Sequence, residues 1–209
     1  MHYGKEYFAW QKEIGKMGGR LDKFKFEPYI RETDTVLDFG CGGGWILGNL
    51  NCERKIGIEI NRFARKTAKG KNGIEVYEDI DSVPDNTADI IISNHALEHV
   101  KNPYGILVKL LSKLKESGTI IFVVPSERKT VYKRDDINMH LYTWSEQNIG
   151  NLFRQAGYYV EDVKEIRHLW PPAYQTFYKI FGEKFVFVLA CIWARLHPKT
   201  TQIRVIAKK

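Results

Sequence analysis

The sequence predicts an α/β fold, a doubly wound, mostly parallel β-sheet with helices on both faces. Short apolar runs alternate with helical patterns from residue 35 onward. The first five runs have nearly continuous apolar centres, which is typical of strands buried on both faces, whereas the last two alternate and indicate a final antiparallel pair. In such sheets ligands bind beyond the carboxyl ends of the strands, so the residues that end each strand are the candidates for a site.

The pattern predicts seven strands, at 35–40, 55–60, 74–79, 88–94, 118–125, 158–166 and 201–209. Predicted helices lie at 44–50, from the cap at Asn61 to about Gly70, at 103–116 and at 145–156. Residues 5–30 also have helical spacing, with an interruption at Gly18-Gly19. We expect one domain over residues 1–209.

Composition places the chain among ordinary globular proteins, with 44% hydrophobic and 27% charged residues. The formal charge of +7 permits attraction to phosphates or acidic lipids without requiring it. Cys41, Cys52 and Cys191 form no CxxC pair, which argues against a zinc ribbon and for a reducing compartment. The first residues show no signal-peptide pattern, and the longest apolar run, 185–194, is about half of what a bilayer span requires. We expect a cytoplasmic protein.

The strongest motif is the end of the first strand, Asp38-Phe39-Gly40-Cys41-Gly42, which continues to Gly44. Glycines permit a sharp turn and a close approach of the backbone to a ligand. A dinucleotide fingerprint would need glycine at position 45, where Trp45 stands. The negative charge of Asp38 suits a ligand with an ammonium group rather than a phosphate, although a simple turn-capping role is the alternative.

Acidic and amide side chains follow the next three strands. Glu59, followed by Ile60, stands about twenty residues after the first glycine, where a carboxylate can accept both hydroxyls of an adenosine ribose. Asp79 can accept from the adenine amino group, with Ile80 as an apolar face, and Asn94 can reach the amino-acid end of the same ligand. The alternative is that these are solvated loop residues.

Histidines are the candidate catalytic residues because imidazole is a general base near neutral pH. His95 and His99 follow the fourth strand, and His140 lies in a loop after the fifth. Each has a purely structural role as its alternative. Asp135, Asp136 and His140 could bind a metal with oxygen and imidazole ligands. A polar loop over the acceptor site is the favoured interpretation of this segment, and we expect no metal.

The motifs VLDFGCGGG, GIEI, YEDI, DIIISNHALEHV and GTIIFVVPSE, in this order, resemble the class I S-adenosylmethionine-dependent methyltransferases. LEHV and the later HLYTW and LFRQAGY resemble their small-molecule branch, which includes ubiquinone-biosynthesis-like methyltransferases. The resemblance implies a Rossmann-like, three-layer α/β/α fold with a seven-stranded sheet and an antiparallel last strand. It implies S-adenosylmethionine as cofactor, with its methionine part at Asp38, Gly40 and Gly42, its ribose at Glu59 and its adenine at Asp79 and Ile80.

Within this frame we expect a helical cap at 1–33, a cofactor-binding core at 34–166, an insertion at 167–200 and the final strand at 201–209. The insertion is rich in aromatic residues and departs from the short turn that is usual in the family. Three interpretations of the insertion are open. The most favoured is structural packing or a dimer contact, the next is a lid over the acceptor, and the least favoured is peripheral membrane contact. The chain is expected to be a monomer or a homodimer.

We expect methyl transfer to a small-molecule acceptor, with an oxygen nucleophile favoured, and no nucleic-acid partner. An RNA or protein methyltransferase is one alternative, but Ser93-Asn94-His95-Ala96 stands where base-methylating enzymes usually carry Asn or Asp-Pro-Pro-Tyr. A non-catalytic cofactor-binding protein is another, because methyl transfer draws much of its rate from positioning. A nicotinamide-dependent oxidoreductase is disfavoured by Trp45.

Overall fold

The structure, a computed structural model, describes residues 5–70, 73–127, 131–197 and 200–209. Residues 1–4 of the predicted cap and 198–199 of the predicted insertion lie outside the described residues. Seven strands form one sheet in the order β3-β2-β1-β4-β5-β7-β6, in which β7 is antiparallel to both of its neighbours. The strands are β1 (Thr35–Phe39), β2 (Arg54–Ile58), β3 (Glu75–Tyr77), β4 (Ala88–Asn94), β5 (Leu114–Glu127), β6 (Tyr159–Ile166) and β7 (Thr200–Lys208).

Helices cover both faces of the sheet, as predicted. They are α1 (Lys5–Leu21), α2 (Arg62–Lys69), α3 (Pro103–Lys113), α4 (Glu146–Gln155) and α5 (Tyr174–Leu196). Alternate residues of the strands point to opposite faces, so Leu37 packs in the core with α3 and α4, whereas Val36 packs in a second core with α2 and Phe26. The predicted doubly wound, three-layer fold is confirmed.

Helix starts follow the capping residues in the sequence. The Asn61 side chain accepts from the Phe63 N–H at the start of α2. Ser145 and Asn148 form a reciprocal capping box at the start of α4. These caps fix the helix starts close to the predicted positions.

The predicted helix at 44–50 is wrong. A glycine turn is followed there by a single 3₁₀ turn at Leu47–Asn49. Gly44 has φ +73°, which a right-handed helix cannot contain, and a Cβ at this position would lie 2.6 Å from Ile74. Close packing of the turn against the neighbouring layer therefore overrides the local helical pattern.

The predicted interruption at Gly18-Gly19 is also wrong, because α1 runs through both residues. The glycines are packing sites instead. A Cβ at Gly15 would lie 2.2 Å from the Trp45 ring, and one at Gly19 would lie 2.3 Å from the Trp45 carbonyl oxygen. The absent side chains let α1 lie directly on Trp45, over the end of β1. Among the described residues, no helix is both long and apolar enough to cross a membrane.

Candidate functional site

The site begins where β1 ends in a tight glycine turn. Gly40 has φ +75° and Gly42 has φ +54°, conformations that favour glycine. The N–H groups of Gly40 and Cys41 donate to the carbonyl oxygen of Ile58 at 2.9 and 3.1 Å, which fixes the turn against the end of β2. A Cβ on Gly40 would lie 2.5 Å from that of Ala96, so the turn also touches the segment after β4.

Glu59 is held rigidly beside this turn. One carboxylate oxygen accepts from the Gly42 N–H at 2.9 Å, and the other accepts from the Asn61 N–H at 2.7 Å. Burial raises the pKa of Glu59, while the hydrogen bonds from Asn61 and Gly42 act in the opposite direction. The side chain is therefore fixed in place before any ligand arrives.

Asp38 is buried at the end of β1, and none of the described residues places a compensating cation beside its carboxyl. Burial, together with the neighbouring charge of Glu59, raises the pKa of Asp38 to about 8. A cationic ligand group beside Asp38 would favour its ionised form. Asp38 is therefore suited to bind a positively charged group of a ligand.

Two adjoining cavities open along the carboxyl ends of the strands. The first, of about 370 Å³, is called here the β2–β3 cavity and is lined by Glu59, Asp79 and Ile80 among others. The second, of about 420 Å³, is called the β1–β4 cavity and is lined by Asp38, Gly42 and Trp170 among others. Four residues line both cavities: Gln11, Gly40, His95 and His99.

All thirteen residues predicted for the site line one or both of these cavities. The β2–β3 cavity has Phe39, Gly40, Glu59, Ile60, Asp79, Ile80, His95 and His99, and the β1–β4 cavity has Asp38, Gly40, Cys41, Gly42, Asn94, His95, His99 and His140. The structure thus brings the predicted set together, while the role of each residue stays a prediction. In the β2–β3 cavity, one oxygen of Asp79 accepts from the N–H and hydroxyl of Ser82, at 2.8 and 3.0 Å, and Ile80 forms a buried wall.

A buried carboxylate, Glu98, organises the three histidines. Its oxygen lies 3.4 Å from Nδ1 of His95 and 3.9 Å from Nε2 of His140. The rings of His99 and His140 contact each other edge-on, with centroids 4.9 Å apart. The Leu141 N–H donates to the Glu98 carbonyl oxygen at 2.9 Å, which holds the loop that carries His140 against the segment after β4.

The charge of Glu98 is supported by its histidine neighbours. Burial by itself would raise the pKa of this carboxyl, but the adjacent imidazoles, His95 foremost, hold the pKa below its usual range. Neither carboxylate oxygen of Glu98 accepts a hydrogen bond of normal geometry from the described residues. The carboxylate therefore favours the positively charged form of an imidazole beside it.

Glu98, His99 and His140 also have the donor set for a transition metal, because their ligand atoms lie within 4.8 Å of one another. The alternative metal set weighed from the sequence is not assembled in this way. The Asp136 carboxylate accepts from the N–H of Met139 at 3.0 Å, and Asp135 and Asp136 are exposed in their loop. His140 instead turns towards Glu98.

Comparison with known proteins identifies the family. Residues 9–163 match the family model described as a methyltransferase domain. The chain belongs to this methyltransferase family. Membership confirms the predicted S-adenosylmethionine-dependent class and the cofactor that goes with it.

Curated relatives of this methyltransferase have several different acceptors in their names. The ribosomal protein L11 methyltransferase of Thermotoga maritima is 33% identical over 92 residues, covering 39% of this chain and 35% of the relative. The ubiquinone biosynthesis O-methyltransferase of Rickettsia bellii is 23% identical over 146 residues, covering 59% of this chain and 60% of the relative. The chain thus spans between about a third and three fifths of the length of these relatives.

Solved structures share the fold over nearly the whole chain. An S-adenosylmethionine-dependent methyltransferase from Archaeoglobus fulgidus has a TM-score of 0.67 at 22% identity, covering 97% of this chain and 99% of the other. The methyltransferase in a complex with the Trm112 activator from Haloferax volcanii has a TM-score of 0.67 at 20% identity, with 98% of both chains covered. At these identities the likeness establishes the methyltransferase fold.

Sequence reasoning missed several residues of the site. Glu98 is part of the DIIISNHALEHV motif but has no role in the sequence-based prediction. It lies in the 3₁₀ turn at Leu97–His99, three residues after His95. Gln11 and Trp170 come from opposite ends of the chain, and no local pattern connects them to the cavities. In the sequence, Trp45 is evidence only against a dinucleotide-binding site. In the structure, it lines the β1–β4 cavity and stacks on Phe8.

A buried lysine lies behind the end of β4 and was also missed. Nζ of Lys25 lies 3.2 Å from Asp22 and donates to the Asn94 side-chain oxygen at 3.2 Å. Burial lowers the pKa of Lys25, while the charge of Asp22 acts against that shift. The segment after α1 therefore fixes Asn94, which lines the β1–β4 cavity.

Proposed function

We propose that this methyltransferase transfers a methyl group from S-adenosylmethionine to an oxygen nucleophile of a small-molecule acceptor, with His95 as the general base. The observation that carries this proposal is the position of His95. Its side chain lines both cavities, and its Nδ1 lies 3.4 Å from the buried carboxylate of Glu98.

The cofactor fits the residues of the site. A positively charged ligand group would stabilise the ionised form of the buried Asp38 carboxyl, and S-adenosylmethionine carries both an ammonium group and a sulfonium. Glu59 presents a fixed carboxylate in the β2–β3 cavity, where the hydroxyls of a ribose would donate hydrogen bonds to it, with Asp79 and Ile80 further along for the adenine. When bound, the cofactor supplies an activated methyl group.

His95 is placed to remove a proton from an acceptor at the junction of the cavities. Its backbone lies in the left-handed region, with φ +54°, and its N–H donates to the Val123 carbonyl oxygen at 2.9 Å. Non-glycine residues in this region are often held there at functional sites. With Nδ1 directed at Glu98, Nε2 of His95 is the nitrogen left to take a proton, and Glu98 stabilises the resulting imidazolium.

The small-molecule acceptor is supported by the size and the aromatic lining of the β1–β4 cavity. Trp45, Trp170 and His140 form its walls, and the adjoining α1 lies over the glycine turn. A cavity of about 420 Å³ has the size of a small-ligand site. The name of the Rickettsia relative, an O-methyltransferase of ubiquinone biosynthesis, agrees with this assignment.

The test is a transfer assay with S-adenosylmethionine labelled in its methyl group. The purified chain is incubated with a metabolite extract and, separately, with ribosomal proteins and RNA, and the labelled product is identified by mass spectrometry. We expect the label on an oxygen of a small molecule. Label on a protein, on RNA, or on nitrogen or carbon would contradict the proposal, as would an unchanged rate for His95→Gln.

Treatment with a chelator distinguishes catalysis by a histidine base from catalysis by a bound metal ion. Activity should be unchanged after treatment with EDTA if His95 acts as the base, although Glu98, His99 and His140 have metal-ligating geometry. Loss of activity on chelation, with recovery on adding back a divalent cation, would replace the base with a metal ion. For the His95→Gln variant, the matched control is His197→Gln, because His197 is an exposed histidine outside both cavities.

A further inference from the structure

Helix α5 has two apolar faces, of which one is exposed. Val186, Ala190 and Ala194 are buried against the rest of the protein. The opposite side carries a row of large apolar side chains, called here the α5 stripe, each between 43% and 68% exposed: Phe181, Phe185, Val188, Ile192 and Leu196. The spacing of three or four residues places Phe185, Val188, Ile192 and Leu196 along one side of the helix after Gly182, and the Phe181 ring packs on Phe185 across the kink, with centroids 4.6 Å apart.

The α5 stripe has the size of an interaction surface. Five half-exposed side chains of this kind present on the order of 400 Å² of contiguous apolar surface, the size of the largest apolar patch on a typical domain, which is often functional. None of the described residues covers the stripe. This area is about half of the 800 Å² per partner that a standard stable protein interface buries, so a second copy of the chain is a poor match in size.

Charge next to the stripe is positive. Lys184 and Arg195 are exposed and occur in the same helical row as Val188, at spacings of four and seven residues. Glu183, beside the kink at Gly182, is the only acidic residue in the sequence of α5. If α5 paired with α5 of a second copy about a two-fold axis, the basic residues of both helices would come together without acidic partners. An anionic surface would instead neutralise these basic residues.

We propose that the α5 stripe docks this methyltransferase on the surface of an anionic lipid bilayer. Phe181, Phe185 and Ile192 would enter the boundary between headgroups and acyl chains, while Lys184 and Arg195 reach lipid phosphates. The helix lies on the bilayer rather than across it, because α5 is not apolar and long enough to span a membrane. The proposal is independent of the acceptor and of the role of His95.

The docking surface continues to the wall of the β1–β4 cavity. Tyr174, at the start of α5, packs on Trp170 with ring centroids 4.9 Å apart, and Trp170 lines that cavity. Gly182, with φ +79°, separates this first part of the helix from Phe185 and the rest of the stripe. The two parts of α5 thus connect the wall of the cavity to the exposed apolar face across the kink at Gly182.

The test is flotation of the full chain with lipid vesicles, followed by detection in the top fraction. We expect binding to phosphatidylcholine vesicles that contain phosphatidylglycerol, weaker binding as salt rises, and little binding to phosphatidylcholine alone. The double variant Phe185→Glu and Ile192→Glu should stay in the bottom fraction. Tyr104→Glu with Val108→Glu is the matched control, because these α3 side chains are exposed to the same degree, 48% and 42% against 43% and 49%.

A second variant tests the charge without touching the apolar row. Lys184→Gln with Arg195→Gln should weaken binding to the anionic vesicles roughly tenfold or more. Circular dichroism checks that each variant is folded. The proposal is overturned if the wild type fails to float with anionic vesicles, or if the stripe variant floats as well as its control. A dimer in light scattering that the stripe variant dissociates, without vesicle binding, would assign the stripe to a second copy.

Discussion

The two cavities that meet at Gly40 and His95 are built in different ways. The β2–β3 cavity is formed by residues that directly follow consecutive strands, such as Glu59 after β2 and Asp79 after β3. The β1–β4 cavity draws on Ile14 in α1, His140 in a loop and Trp170 before α5. Backbone geometry dictates the first, and tertiary packing of distant segments assembles the second. The first therefore suits the adenosine part of a constant cofactor. The second, which also contains Asp38 and Gly42 for the methionine part, can vary with the acceptor.

The largest expected effect is on catalysis in the β1–β4 cavity. His95→Ala should lower kcat by about a hundred- to ten-thousandfold, the range for removing a general base. The affinity for S-adenosylhomocysteine should stay within about threefold. Single-turnover kinetics and calorimetry measure the two quantities. A parallel loss of cofactor affinity would show that the two cavities are not functionally separate.

Glu98→Gln sharpens the same prediction, because Glu98 acts through His95 as a positioning residue. The variant keeps the shape of the side chain but removes the charge that stabilises the imidazolium. We expect kcat to fall with little change in KM, together with a shifted pH–rate profile. A purely structural role would instead lower the stability and leave the pH profile of the folded fraction unchanged.

The next effect in size falls on the β2–β3 cavity. Glu59→Ala removes a carboxylate whose charged hydrogen bonds are worth roughly 1.5–3 kcal/mol, so S-adenosylhomocysteine affinity should fall about ten- to a hundredfold. Calorimetry on the folded variant measures it. Glu75→Ala, an exposed carboxylate on β3 that pairs with Arg54, is the control. Equal affinity of the Glu59 variant and the wild type would place the ribose elsewhere.

A smaller effect is expected where the aromatic wall meets the acceptor. Trp170→Ala and Tyr174→Ala should raise the acceptor KM several-fold and leave S-adenosylhomocysteine affinity within about threefold, a difference of roughly 0.7 kcal/mol. Trp170 lines the β1–β4 cavity but not the β2–β3 cavity. Loss of cofactor binding in folded variants would assign residues 167–200 to the cofactor instead of the acceptor.

The last expected effect is on stability rather than on activity, through the buried carboxyl of Asp38. Its pKa of about 8 in the folded chain lies above its usual value of about 3.9, so the folded state binds more protons between these values. The free energy of unfolding therefore falls as pH rises through this window, and Asp38→Asn removes that fall.

The melting temperature of Asp38→Asn relative to wild type should accordingly increase between about pH 5 and about pH 9. Each kcal/mol corresponds to about 2–4 °C for a chain of this size. Differential scanning calorimetry without ligand measures it, with Asp81→Asn, an exposed carboxylate, as control. A difference that does not depend on pH would show that Asp38 titrates normally.

The sequence predicted the sheet and the residues after its strands because both follow from short-range patterns. Buried strands are continuous apolar runs, and parallel strands bring Asp38, Glu59 and Asp79 to one edge. The predictions of local structure were wrong where tertiary packing determines the backbone conformation. Gly44 reads locally as the start of a helix, but its φ of +73° and its contact with the opposite layer produce a turn.

The acceptor side was less predictable for the same reason. His140 was a candidate from its place after β5, but its approach to Glu98 depends on the Leu141 N–H that donates to the Glu98 carbonyl oxygen. Glu98 is charged, and a charged residue in a short motif is usually exposed, so its complete burial was not expected. The predicted helix interruption at Gly18-Gly19 is likewise a packing site, since a Cβ on Gly18 would lie 2.9 Å from the Trp170 ring and one on Gly19 would lie 2.3 Å from the Trp45 carbonyl oxygen.

The central claim is that the paired cavities hold S-adenosylmethionine, and titration calorimetry of the unmodified chain tests it most directly. The motivation is the acidic glycine turn, with Glu59 fixed beside it by the N–H groups of Gly42 and Asn61. S-adenosylmethionine and S-adenosylhomocysteine should each bind at one site per chain, and NAD should show no measurable heat. Tight binding of NAD without binding of S-adenosylhomocysteine would contradict the account.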